Sequence, residues 1–123
     1  MELAKEYMRK LADLKIDKDT NTVALLNLYI VSSVLYYEHD ISIIQDYEFD
    51  FVCKMLYERW HEIHTNPKIR QNHKDLLDRE CLTAGSGYTI KQNSLDLVTY
   101  GIIQYMASLL KEKHGQAQET IKV

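Results

Sequence analysis

The sequence predicts an all-α protein, a compact bundle of four to five helices, and three observations carry that prediction. The chain has 123 residues with one proline and four glycines, too few for the many turns that sandwiches and barrels require. Apolar residues recur every three or four positions over several stretches of ten or more, which is the period of a helix and not of a strand. The length suits one domain able to bury roughly two-thirds of its unfolded surface, so folding needs neither disulfides nor a structural metal. One domain over residues 1–115 is expected, followed by a flexible tail over 116–123, with no internal repeat and no linker.

The first helix is expected from about Glu2 to Leu14, with Leu3, Tyr7, Leu11 and Leu14 on one face. Lys15 to Asn21 is polar and offers Asp19, Thr20 and Asn21 as N-caps. The second helix, about Thr22 to Glu38, is apolar nearly all round and therefore belongs at the bundle centre. Its β-branched residues (Val23, Ile30, Val31, Val34) would suit a strand, but its length favours a helix. After a connection from His39 to Gln45, a third helix starts near Asp46 and runs to about His64, with Phe49, Val52, Leu56, Trp60 and Ile63 at helical spacing. Pro67 marks the break beyond it. A shorter helix covers His73 to Leu82, and Ala84 to Tyr88 forms the sharpest loop. Asn93 or Ser94 caps a last helix to about Lys113, whose core face is Leu95, Val98, Ile102, Met106 and Leu109, with Gly115 as its C-terminal cap.

Composition narrows the function classes. A formal net charge of −3 lacks the basic excess of a dedicated nucleic-acid binder, so no direct nucleic-acid contact is expected. The most apolar run, Thr22 to Tyr37, has 16 residues and contains Asn27, Ser32 and Ser33, short for a membrane span. The N-terminal Met-Glu-Leu-Ala-Lys lacks the pattern of a secretion signal, and Cys53 and Cys81 are too isolated for a disulfide framework. A reduced, cytoplasmic setting is the expectation.

The charge is unevenly placed. From Glu38 to Asp50 there are five acids and no lysine or arginine, while Tyr36 and Tyr37 precede the run and Tyr47 and Phe49 lie within it. One reading is a solvated acidic loop with Asp46 as an N-cap. The other is a pocket where aromatic faces and carboxylates converge. Such a set suits a planar cation joined to sugar hydroxyls, since rings stack and carboxylates accept hydroxyl hydrogen bonds while offsetting positive charge. Adjacent helical residues point about 100° apart, so one of the two tyrosines at most is expected to point squarely into such a pocket.

Tyr36-Tyr37, eight residues, then Asp46-Tyr47-Glu48-Phe49-Asp50 resembles the N-terminal helical subdomain of NAD-dependent, bacterial-type DNA ligases. In that family an aromatic pair on one helix and an Asp-x-Glu-Tyr-Asp segment opening the next bind the nicotinamide mononucleotide half of NAD. The resemblance covers roughly residues 25–67 and implies that Tyr36 and Tyr37 stack on or flank the nicotinamide, that Asp46 and Asp50 contact its ribose or balance its charge, and that Phe49 replaces the usual tyrosine with one hydroxyl fewer. Small phage-encoded proteins carry this segment without a ligase, and the chain looks similar to those. The ligase's Lys-x-Asp-Gly nucleophile motif is not found, because Lys15-Ile16-Asp17 is followed by Lys18. No catalytic residue is assigned and no cofactor is required; NAD or nicotinamide mononucleotide is the expected ligand.

Gly85, Ser86 and Gly87 with Lys91 offer a phosphate-contacting loop through backbone N–H groups, with Lys68, Arg70, Lys74 and Arg79 as further positive charge. The alternative is a helix C-cap followed by a turn, since the Gly-Lys-Ser/Thr ending of a true phosphate loop is missing. No metal site is expected: Glu58-x-x-His61 is half of a di-iron pattern without its second copy, and His61 with His64 reads as a solvent-facing pair. Cys53, Cys81 and Trp60 read as core. Three functions fit these residues. They are a non-catalytic binding module for a nicotinamide-containing nucleotide, a phage anti-defence protein that inhibits a host enzyme by direct contact, and an NAD-cleaving enzyme with Glu48 as its carboxylate. The oligomeric state is not legible.

Overall fold

The computed structural model describes residues 2–88, 90 and 95–122. They form seven helices in chain order: α1 (Glu2–Ala12), α2 (Thr22–His39), α3 (Asp46–Glu58), α4 (Trp60–Thr65), α5 (Gln71–Asp75), α6 (Arg79–Thr83) and α7 (Leu97–Lys122). No strand occurs among the described residues, so the all-α expectation holds while the number of helices exceeds four to five.

α2 is the central helix. Nearly everything from Leu25 to Leu35 is buried, with Asn27 intermediate, as its all-round apolar character requires. It packs on α3 and α7, while α3 also meets α4 and α6, and α1 lies against α7. Asn21 starts α2, its side-chain oxygen accepting from Val23 N at 2.9 Å and Ala24 N at 3.3 Å. Asp40 ends it in the left-handed region at φ 56°, with its N–H bonded to Tyr36 O.

Two expected helices are divided. The third breaks at Arg59, whose guanidinium turns back to donate to Thr20 O at 2.6 Å, Lys18 O at 2.6 Å and Thr22 Oγ1 at 3.0 Å. These bonds satisfy the loop before α2 and hold α3 and α4 to it. The expected 73–82 helix becomes α5 and α6, because the Asp78 carboxylate accepts from Cys81 N at 3.0 Å and starts a new helix.

α7 starts later than expected. Asp96 precedes it and accepts from Thr99 N at 3.0 Å; the expected caps Asn93 and Ser94 lie outside the described residues. Val98, expected in the core, is 61% exposed, and Ile103, Met106 and Ala107 carry the buried face. The α7 backbone continues as helix to Lys122, past Gly115 and through the segment expected as a tail. Gln, Ala and Glu residues there are good helix formers, and one interior glycine costs only about 1 kcal/mol. No helix among the described residues is long and apolar enough to cross a membrane.

Candidate functional site

The C-terminal half of α2, the 40–45 connection and the first turns of α3 enclose a pocket of about 320 Å³. On α2, Ser32 and Ser33 lie one turn below Tyr36 and Tyr37, so four residues spaced by four form one wall. Ser42, Ile43 and Ile44 come from the connection, Asp46, Phe49 and Asp50 from α3, and Gly85 from the loop after α6.

All five residues expected to bind a ligand, Tyr36, Tyr37, Asp46, Phe49 and Asp50, therefore line one cavity. Both tyrosines are lining residues. Their rings meet edge to face at 5.0 Å and 90°. They are 51% and 46% exposed, so ring surface is left for a planar guest. Phe49 is half-buried and stacks on the ring of Tyr29 at 5.6 Å and 22°. Tyr29 is fully buried, and its hydroxyl donates to Ser86 O at 2.7 Å. Burial, with smaller effects from Cys53 and Cys81, holds that phenol well above its ordinary range, so it stays a donor.

Asp46 and Asp50 sit one turn apart on α3, both exposed, and neither carboxylate bonds to another described residue. Asp46 is the first residue of the helix and not its cap; Gln45 takes that place, its N–H donating to Glu48 Oε1 at 2.9 Å. Glu48 is thus turned to the helix start and is not part of the pocket wall, which removes the geometric basis for a catalytic role there.

Ser32 was not expected to matter. It is 5% exposed, lines the pocket, and its hydroxyl has no hydrogen-bond partner. Its neighbour Ser33 donates to Tyr29 O at 2.7 Å. The sequence signal for both was the spacing of four from the tyrosine pair, hidden within an apolar run.

The 84–88 loop resolves between its two readings. Gly85 adopts φ 68°, Gly85 N–H bonds to Leu82 O at 3.2 Å and Ser86 N–H to Cys81 O at 2.8 Å, the pattern of a Schellman C-cap on α6. The phosphate expectation is therefore corrected for Gly85 and Ser86: their N–H groups are engaged by helix carbonyls. Gly87 is buried against α2, where an added Cβ would collide with Ser33 Oγ. Ser86 Oγ meets Tyr37 Oη at 3.1 Å, which ties the loop to the tyrosine wall. Lys91 lies outside the described residues. Lys68, Arg70, Lys74 and Arg79 do not line the pocket; Arg70 pairs with Asp96 at 3.1 Å and Arg79 lies over the Trp60 ring at 4.7 Å.

Other candidate chemistry is quiet. Cys53 and Cys81 are buried and not joined in a disulfide, and burial, followed by the charge of Asp50, pushes Cys53 up to about 12, so no thiolate nucleophile forms at Cys53. His64 Nδ1 pairs with Trp60 O at 2.8 Å, its ring against the indole. Among the described residues no three His, Cys, Asp or Glu side chains group in a way that could hold a metal ion. No family model, curated protein or solved structure matches the chain.

Proposed function

We propose that this protein is a non-catalytic binding module for a nicotinamide-containing nucleotide, NAD or nicotinamide mononucleotide, and acts as a phage accessory protein in the host cytoplasm. The observation that carries the reading is the convergence in one 320 Å³ pocket of an aromatic pair and two uncommitted carboxylates. That volume lies at the small end of ligand pockets, a size suited to one nucleotide.

Each group has a task in that reading. Tyr36 and Tyr37 present ring surface to a planar cation. Asp46 and Asp50 accept hydrogen bonds from ribose hydroxyls and offset the pyridinium charge. Phe49 closes one side with an apolar face. The resemblance to the ligase subdomain rests on the same residues and points to the same ligand.

Calorimetry with nicotinamide mononucleotide and NAD tests it. Binding is expected, weakened about tenfold or more in an Asp46→Ala/Asp50→Ala variant that loses charge-assisted hydrogen bonds. No heat from either nucleotide at about 100 μM protein, a regime that detects affinities as weak as roughly −5 to −6 kcal/mol, overturns the reading.

A second reading, an anti-defence protein that inhibits a host enzyme by direct contact, is favoured by one observation. Tyr47, outside the pocket wall, is 73% exposed, and Tyr57 and Tyr88 are about half exposed; tyrosine is enriched in interface hot spots. A pull-down from host lysate that captures one partner with wild type and loses it with Tyr47→Ala supports this reading, and equal capture by both removes it.

A further inference from the structure

One face of α3 carries more than the pocket uses. Asp46, Asp50, Lys54 and Tyr57 follow one another at intervals of four, four and three residues, so their side chains form a single row along the helix. At 1.5 Å per residue the row spans about 16 Å. Its first two members line the pocket already described. Its last three line a second, more open depression of about 500 Å³, completed by Leu82, Thr83, Ala84 and Gly85. Asp50 and Gly85 belong to both, so they form a saddle between two adjoining cavities.

The charge balance shifts across that saddle, from two acids to one acid and one lysine. The first cavity holds Asp46 and Asp50 and no cation. The second holds Lys54, exposed and without a hydrogen bond or ion pair to any described residue, and Tyr57, whose ring is 48% exposed. A lysine one turn beyond Asp50 is about 6 Å further along the axis, comparable with the length of a ribose. The order along the row is therefore acid, acid, cation, aromatic ring. A nicotinamide dinucleotide has the matching order: cationic ring, ribose, phosphates, second base.

We infer that the second depression is a subsite for the other half of a pyrophosphate-linked dinucleotide, with Lys54 receiving the phosphates and Tyr57 stacking on the second base. The inference rests on the reading of the first pocket given above and specifies its ligand as a dinucleotide over a mononucleotide. Lys54 acts as a point charge that tolerates several phosphate positions, and aromatic stacking accepts any base. The openness of the second cavity fits that role, since the base lies on a surface and is not enclosed.

The test compares NAD with nicotinamide mononucleotide by calorimetry on the full chain, for wild type, Lys54→Ala, Tyr57→Ala and Tyr57→Phe. All three substitutions fall on an exposed helix face, and circular dichroism confirms that each variant folds. The expected result is that wild type binds NAD about tenfold tighter than the mononucleotide, the size of one base–ring stack. Tyr57→Ala removes that advantage and leaves mononucleotide binding unchanged, and Tyr57→Phe retains it. Lys54→Ala weakens both ligands severalfold, with the loss shrinking as salt rises. Equal affinity for the two ligands, or NAD binding that Tyr57→Ala leaves intact, overturns the subsite while leaving the first pocket standing. Absence of binding by the mononucleotide and NAD alike overturns both.

Discussion

At the residue scale the most informative atom is the Ser32 hydroxyl. A buried hydroxyl without a partner costs about 1–3 kcal/mol, and Ser32 bears that cost on the pocket wall. Ser32→Ala is therefore expected to raise stability. Thermal unfolding of the free protein should shift up by a few degrees. A variant that loses stability without ligand contradicts this account. The aromatic pair and the two aspartates stood out in the sequence because their types are unusual together and because they carry the resemblance to the ligase subdomain. Ser32 was not legible, since a serine inside an apolar run reads as tolerated filler until burial shows that nothing answers it. Lys54 was hidden for the opposite reason: a lysine on an exposed helix face is the default, and only a neighbouring cavity gives it meaning.

At the scale of elements, the loop after α6 acts as a wall, and a glycine sets how closely it can sit. Gly87 lies against Ser33 and Tyr29 of α2, and Ser33 is held there by its own bond to Tyr29 O. A methyl group at Gly87 has no flexible neighbour to displace. Gly87→Ala is expected to cost about 2 kcal/mol by overpacking, read as a lower denaturation midpoint with an unchanged slope, and to weaken ligand binding because Gly85 moves with the loop. The glycines were legible as a loop, but the choice between phosphate cradle and helix cap depended on where the N–H groups point. The break of the third helix at Arg59 was not legible either. Glu58-Arg59-Trp60 contains nothing that stops a helix; the break comes from a tertiary demand, the three carbonyl and hydroxyl oxygens near residues 18–22 that Arg59 satisfies.

At the scale of the molecule, the fold class followed from hydrophobic periodicity, which buries α2 at the centre and leaves polar faces outward. A separate device joins the 70–73 segment to α7. Asp96 accepts from Arg70, His73 and Thr99 N, while its own N–H donates to Asn72 Oδ1 at 3.0 Å. Partial burial alone would raise the Asp96 carboxyl, but the bonds from Thr99 and His73 outweigh it and hold the group below its ordinary value of 3.8. The unfolded chain therefore binds more protons than the folded one in acid, and stability rises with pH there. The Asp96 contribution is complete above 3.8 and is lost as pH falls through the depressed folded value. Asp96→Asn keeps a capping side chain but removes the proton site, so its acid unfolding profile should be flatter than that of wild type; identical acid limbs in the two proteins would refute the linkage.

The bond from the Tyr29 hydroxyl to Ser86 O joins positions 57 residues apart. Closing so long a loop carries an entropic cost that must be met before the contact contributes, so this wall of the cavity is expected to form only once the central helices have met. The stretch that holds the aromatic pair and both aspartates ends well before the loop that faces them. A fragment limited to residues 25–67 would present the recognisable motif with one side open. Occupancy of the cavity therefore selects chains whose distant parts have already come together, and a bound nucleotide would stabilise the whole molecule and not merely the two helices that touch most of it.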